Sequence, residues 1–260
     1  MPYAFAHPAA AVPLHRLLGR LAVPSALVIG SVAPDLWLLV PFLSRDQSHS
    51  VAAIFWFNLP LGLALYGAFH LLLKEPLLTL VPATMATRLA AWTRPSLPRV
   101  PWTAVVASLI AGAAAHLAWD AVTHSSFGLS ERSAFVVAGH PILVQQLLQH
   151  GSTVLGTLFI LWWIRRKLVL QSPSQSPVPP LAWRLPIVCG IAAVAAVVFV
   201  GVTVQAVPLQ LDLGVIRAAL RAAGATAASA AGLCIVVYCV LWRSFRSRRE
   251  RAITCDAATR

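Results

Sequence analysis

The chain has 260 residues, 58% of them hydrophobic and 11% charged, with a mean hydropathy of +0.77. A water-soluble domain carries about 25% charged residues, so water is not the main solvent for this surface. The net charge of +12 could suit nucleic acid, but the basic residues flank apolar stretches instead of forming an aromatic-interleaved patch, which excludes nucleic acid as a partner and points to membrane orientation.

A helix needs roughly 20 mainly apolar residues to cross the hydrocarbon core. Residues 21–44, 47–73, 100–119, 133–164, 185–211 and 222–242 supply six such stretches, interrupted within the first only by Asp35. The expected fold is therefore all-α, a polytopic integral membrane protein of about six transmembrane helices. Arg16 and Arg20 precede the first stretch, Lys74, Arg88, Arg94 and Arg99 follow the second, Arg165 to Lys167 follow the fourth, and Arg243 to Arg251 follow the sixth. The positive-inside rule then puts the N-terminus, the loop 74–101, the linker and the C-terminal tail in the cytoplasm, with the loops 44–50 and 124–150 facing outward. The N-terminus lacks the ordered regions of a signal peptide, so the first span is expected to be retained.

The polar, proline-rich run QSPSQSPVPP at 171–180 divides the chain. Residues 1–170 read as a membrane domain holding every histidine, 171–184 as a linker, 185–243 as two further transmembrane helices, and 244–260 as a basic cytoplasmic tail. Gly201, Gly224, Ala228 and Gly232 suit close helix contact in the last two spans. Cys189, Cys234, Cys239 and Cys255 form no CxxC pair and are expected as free thiols.

His116, Asp120 and His124 stand at i, i+4 and i+8, which places three metal-ligand types along one helix face. Imidazole and carboxylate suit zinc or another first-row divalent ion, and ionisable groups inside a membrane are functional candidates. A hydrogen-bonded polar stripe between helices is the competing explanation. Asp35 lies in GSVAPD, where glycine and proline can break a span and let a carboxylate face a cavity; its alternatives are pairing with Arg45 or capping the segment after Pro34. His49, in Ser48-His49-Ser50, falls on the same outer side as the His116 helix. Simple counting leaves His7 cytoplasmic, in conflict with the others, unless residues 4–19 form a short or re-entrant helix. His150 begins the fourth span as a candidate ligand, proton shuttle or substrate contact, whereas His15, His70 and His140 read as interfacial or packed.

Taken in order, the early His-Pro, the GSxAPD segment, the Ser-His-Ser before a span containing LPLG, and HxxWDxxTH resemble the bacterial membrane proteins grouped as domain of unknown function 4184. The resemblance covers roughly residues 1–165. That group is distantly similar to the YdjM-like inner-membrane proteins described as metal-dependent hydrolases. The resemblance implies His7, Asp35, His49, His116 and Asp120 as a metal set, with His124 as an addition. Ser48 stands where the distant relatives have threonine, and Asp35-Leu36-Trp37 replaces their Asp-x-Asp-His.

Three functional readings follow. The first is a membrane-embedded metal-dependent hydrolase, with a divalent metal, zinc by preference, membrane lipids as partners, and a lipid or phosphoester as substrate. A transporter is the second, although no inverted repeat is visible. The third is a structural or assembly protein whose polar helix interface is stabilised by hydrogen bonds or a metal. Localisation in the bacterial inner membrane, with a cytoplasmic C-terminus, is expected for all three.

Overall fold

Apolar stretches bounded by proline and glycine determine which segments of this chain run as long helices and which stay short. The computed structural model describes residues 6–39, 43–89, 100–123, 133–137, 140–173, 181–206 and 213–258. Five helices among them are long and apolar enough to cross a membrane: Ile54–Leu80, Trp102–Thr123, Leu147–Leu170, Arg184–Ala206 and Gly214–Ser247. The protein is a helical, polytopic membrane protein, with one small antiparallel hairpin of β1 (Ser133–Val137) and β2 (His140–Leu143). That hairpin occupies the start of the stretch 133–164, so its helix begins only at Val144.

The stretch 21–44 does not form a long helix. Its α-helical part is α3 (Pro24–Val32), which starts with proline at its first turn and passes into a 3-10 segment, Ala33–Leu39, where Pro34 has no N–H to continue the α-helical ladder. Before it come α1 (Pro8–Ala11) and α2 (Leu14–Leu18). Gly19, at φ +51°, reverses the chain between α2 and α3 in a conformation that side chains disfavour.

The chain forms two compact units, Met1–Phe69 with Leu97–Leu170, and His70–Ser96 with Gln171–Arg260. Residues 70–96, grouped with the first part on sequence, belong to the second unit. In the first unit, α3 runs parallel to α8 (Trp102–Thr123) in close contact. The Ser108 hydroxyl accepts from the Val23 amide at 2.9 Å and donates to the Leu21 carbonyl at 2.9 Å, and farther along the same pair the Ser31 carbonyl meets His116. Eight residues of helix separate Ser108 from His116, about 12 Å at 1.5 Å per residue. Residues 7–35 thus start beside His116, run down to Ser108, reverse, and return. They form a re-entrant hairpin with both ends at one end of α8.

Two glycines allow this approach. A Cβ on Gly30 would lie 2.3 Å from the Leu109 carbonyl oxygen, and one on Gly112 would lie 2.4 Å from that of Leu27. Around the crossing, Val23, Ala26, Tyr66, Ala104, Val105 and Leu109 form the buried core, with Ile29, Leu59 and Leu63 packed against it. The helix Ile54–Leu80 begins with a π-helical turn, Ile54–Asn58, followed by α5 (Leu59–Ala68). On the other flank, α1 packs against α3, α8 and α9 (Val144–Leu170).

In the second unit, α6 (Lys74–Leu80) packs against α10 (Arg184–Ala206) and α11 (Leu213–Ala258). Glu75 pairs with Arg246 and, at 3.6 Å, with Arg243, whose Nε donates to the Leu72 carbonyl at 2.9 Å. Thr79 and Tyr238 share a hydrogen bond between hydroxyls. Cβ atoms on Gly201, Gly224 and Gly232 would meet nothing within 4 Å, so these glycines do not mark the close helix contacts expected of them. Cys189, Cys234 and Cys239 are free thiols.

Candidate metal centre

Helical periodicity alone puts His116 and Asp120 one turn apart on α8, and both are buried. The re-entrant hairpin brings His7 from its start and Asp35 from its end onto that face. His49 arrives from α4 (Arg45–Ser48), a single turn closed by a capping box in which Ser44 and Gln47 satisfy each other's backbone N–H. Four separate segments therefore converge on one point.

The inward-facing atoms are close together. His49 Nε2 lies 3.2 Å from His116 Nε2, 3.6 Å from Asp35 Oδ1 and 3.4 Å from Asp120 Oδ2. His116 Nε2 lies 3.7 Å from Asp35 and 3.8 Å from Asp120, and His7 Nε2 stands 3.7 and 3.8 Å from the same two carboxylates. The His7 ring stacks on His116 with centroids 3.8 Å apart.

Outer hydrogen bonds set the tautomers of two of these rings. His116 Nδ1 lies 2.8 Å from the Ser31 carbonyl, which can only accept, so Nδ1 carries the proton and Nε2 presents its lone pair inward. His49 Nδ1 lies 3.1 Å from the Arg45 carbonyl and 2.8 Å from Ser48 Oγ, whose own hydrogen is donated to that same carbonyl at 2.9 Å. Nδ1 is again the donor and Nε2 the open nitrogen. Two neutral rings so turned would oppose their lone pairs at 3.2 Å with two carboxylates around them, an arrangement that calls for positive charge at this point, supplied by a proton or by a metal ion.

Both His7 ring nitrogens are buried without a hydrogen-bond partner. Burial, with His116 beside it, holds the His7 pKa down to about 4, so the ring is neutral near pH 7 and able to act as a ligand. At His49, burial opposes the charged form, but the hydrogen-bonding influence of Asp120 and Asp35 outweighs it and raises the pKa. The carboxylates favour positive charge at this point. The residues fit a divalent ion: His7, His116 and Asp120 form one group of potential ligands and Asp35, His49 and His116 another. Both groups use His116, whose single open nitrogen can serve one ion, which favours one centre over two.

This chain's family model agrees in extent with the fold. A model described as a domain of unknown function, DUF4184, matches residues 1–240 and so includes all five converging residues. The chain belongs to the DUF4184 family. No curated protein and no solved structure matches it.

Of the residues singled out on sequence, His7, Asp35, His49, His116 and Asp120 meet in this cluster, whereas His124 lies outside the described residues. His150 is exposed on α9 and His15 is exposed on α2, both apart from the cluster, and His70 is buried in the second unit. Arg45 pairs with Asp120 at 2.5 Å, not with Asp35, the pairing expected as an alternative on sequence, because its guanidinium reaches past the 3-10 segment to the carboxylate on α8. Two supporting residues escaped the sequence reading. Asn58, a lone amide in an apolar run, donates to the Ser48 carbonyl at 3.2 Å and steadies the His49 turn from the π-helical segment. Ser31 acts through its carbonyl, for which a side chain gives no signal.

Proposed function

We propose that the protein is a membrane-embedded metal-dependent hydrolase, in which ligands drawn from His7, Asp35, His49, His116 and Asp120 hold a divalent metal, zinc by preference. The observation that carries this reading is the pair of imidazole nitrogens turned toward each other at 3.2 Å with their outer nitrogens committed elsewhere. In a zinc site with ligands at about 2.0–2.1 Å, neighbouring tetrahedral donors are about 3.3 Å apart, close to the 3.2–3.8 Å measured here.

A metal so held would supply Lewis acidity toward an ester or phosphoester oxygen and toward a water. The chain's part is orientation and exclusion. Ser31 and Ser48 lock the two ring tautomers, Asn58 holds the turn that carries His49, and the hairpin covers the buried side of the cluster. The set also follows the motif order that resembles YdjM-like hydrolases.

The basic flanks support a cytoplasmic C-terminus in a bacterial inner membrane, with the cluster toward the outer face. The re-entrant hairpin suits that orientation, because His7 can then share a side with Asp35 without an additional crossing. A lipid or lipid-linked substrate fits a site at this depth.

The experiment is hydrolysis by detergent-purified protein, stripped with chelator and reloaded with zinc, manganese or magnesium, against carboxylic esters and phosphoesters of short-chain lipids. Turnover that vanishes on stripping and returns with metal is expected. A reloaded protein that binds metal but hydrolyses none of them would contradict the reading.

A further inference from the structure

The Arg45 side chain touches the His/Asp cluster. Its Nη2 meets Asp120 Oδ2 at 2.5 Å, and its Nε is buried with no hydrogen-bond partner. The side chain is 31% exposed against 6% for that of Asp120, so Arg45 covers the carboxylate from its more exposed side. A guanidinium has five N–H donors arranged as a fork, and it matches the paired oxygens of phosphate better than any other side chain does.

The Arg45 main chain is also held in place. It is the first residue of α4, and its carbonyl accepts from Ser48 Oγ and from the His49 amide at 2.9 Å. The same turn therefore carries His49 into the cluster and Arg45 onto its Asp120 carboxylate. Shortly after His49, Val51, Phe55 and Trp56 are exposed, as are Trp119 and Val122 on the α8 turns flanking Asp120. A cation beside an anion-attracting centre, next to an apolar surface, suits an amphiphile with a phosphate headgroup.

We propose that Arg45 is the anion-binding residue of this centre and makes the substrate a phosphate monoester of an apolar alcohol. A neutral carboxylic ester offers no anionic oxygen for Arg45 to bind. The inference rests on the metal-hydrolase reading. In the reaction, a water oxygen bonds to phosphorus, the bond from phosphorus to the alcohol oxygen breaks, and a water proton ends on the released alcohol. Arg45 binds a non-bridging phosphate oxygen throughout.

The test uses the full chain in detergent, loaded with zinc, as wild type, Arg45→Lys and Arg45→Gln. Metal content is read by elemental mass spectrometry, and binding of inorganic phosphate and of dihexanoyl phosphatidate by calorimetry. Expected are wild-type metal content in Arg45→Lys and at least a tenfold loss of anion affinity in any variant that keeps its metal, larger for Arg45→Gln than for Arg45→Lys. Tighter binding of phosphatidate than of phosphate is expected and identifies a lipid headgroup as the source, whereas equal binding overturns the apolar alcohol and identifies free phosphate or a soluble ester. Metal-loaded wild type that binds neither anion, or a metal-loaded Arg45→Gln that binds both as wild type does, overturns the role of Arg45 and leaves the metal centre standing. Loss of metal in both variants would make Arg45 a positioning residue for Asp120 and would also overturn it. Wild type that takes up no metal contradicts the underlying reading instead.

Discussion

The Ser31 carbonyl lies 2.8 Å from His116 Nδ1, joining the end of the re-entrant hairpin to the long helix that carries the centre. This contact selects the tautomer of His116 and orients its ring, because a carbonyl oxygen can accept but not donate. His116 has no exposed surface, so His116→Gln, which keeps a polar group there, should still fold. It should lose metal affinity by at least about 100-fold, because loss of an outer partner alone costs about 10- to 100-fold and here the ligand itself is lost. Competitive titration with a fluorescent zinc chelator would show the change, and wild-type affinity would remove His116 from the ligand set.

Ser48→Ala tests the outer hydrogen bonds of His49. The variant removes the hydroxyl 2.8 Å from Nδ1 and leaves the ring in place. Metal affinity should fall about 10- to 100-fold with little change in melting temperature. An unaltered affinity would mean that the Arg45 carbonyl alone orients the ring.

Gly112→Ala should be costly out of proportion to one methyl group. The new Cβ would meet the Leu27 carbonyl oxygen at 2.4 Å, and both partners are backbone held in helices. Overpacking of this kind costs about 1–3 kcal/mol, and separation of α3 from α8 would also pull Asp35 and Ser31 away from His116. A lowered melting temperature and weakened metal binding should therefore appear together. Gly67→Ala, where a Cβ meets nothing within 4 Å, should leave both unchanged.

Ser108→Ala probes the other end of the hairpin. Its hydroxyl satisfies the Val23 amide and the Leu21 carbonyl, and its loss leaves two backbone groups without that partner. A buried group left unsatisfied costs about 1–3 kcal/mol. Thermal unfolding should register the loss, while metal stoichiometry at low temperature stays at the wild-type value. If stability does not change, the hairpin tip is not held by this contact.

Much of the centre was legible in the sequence for a simple reason. His116 and Asp120 are related by the helical period alone, so their common face follows from spacing, and the chemistry of His, Asp and Pro-Asp in an apolar context marks them as exceptional. The side of the membrane to which His7 belongs was harder. It depends on a reversal at Gly19 and on hydrogen bonds from Ser108 to residues 85 and 87 positions away, none of which leaves a local pattern. The same holds for the crossing of Gly30 and Gly112, whose role is defined by backbone on another helix. The stretch 21–44 has the hydropathy of a span, yet its prolines hold it to a short α-helix and a 3-10 turn. The direction of Arg45 was set by the capped turn that carries it, and apolarity and charge counts contain no record of such a turn.

The most direct test is metal content by elemental mass spectrometry on detergent-purified wild type beside folded Asp35→Ala, His116→Ala and Asp120→Ala variants. The account predicts one metal ion per chain in the wild type after loading and its loss in each variant. No metal in the wild type after reloading would contradict it and leave the five side chains as a proton-sharing polar interface between helices.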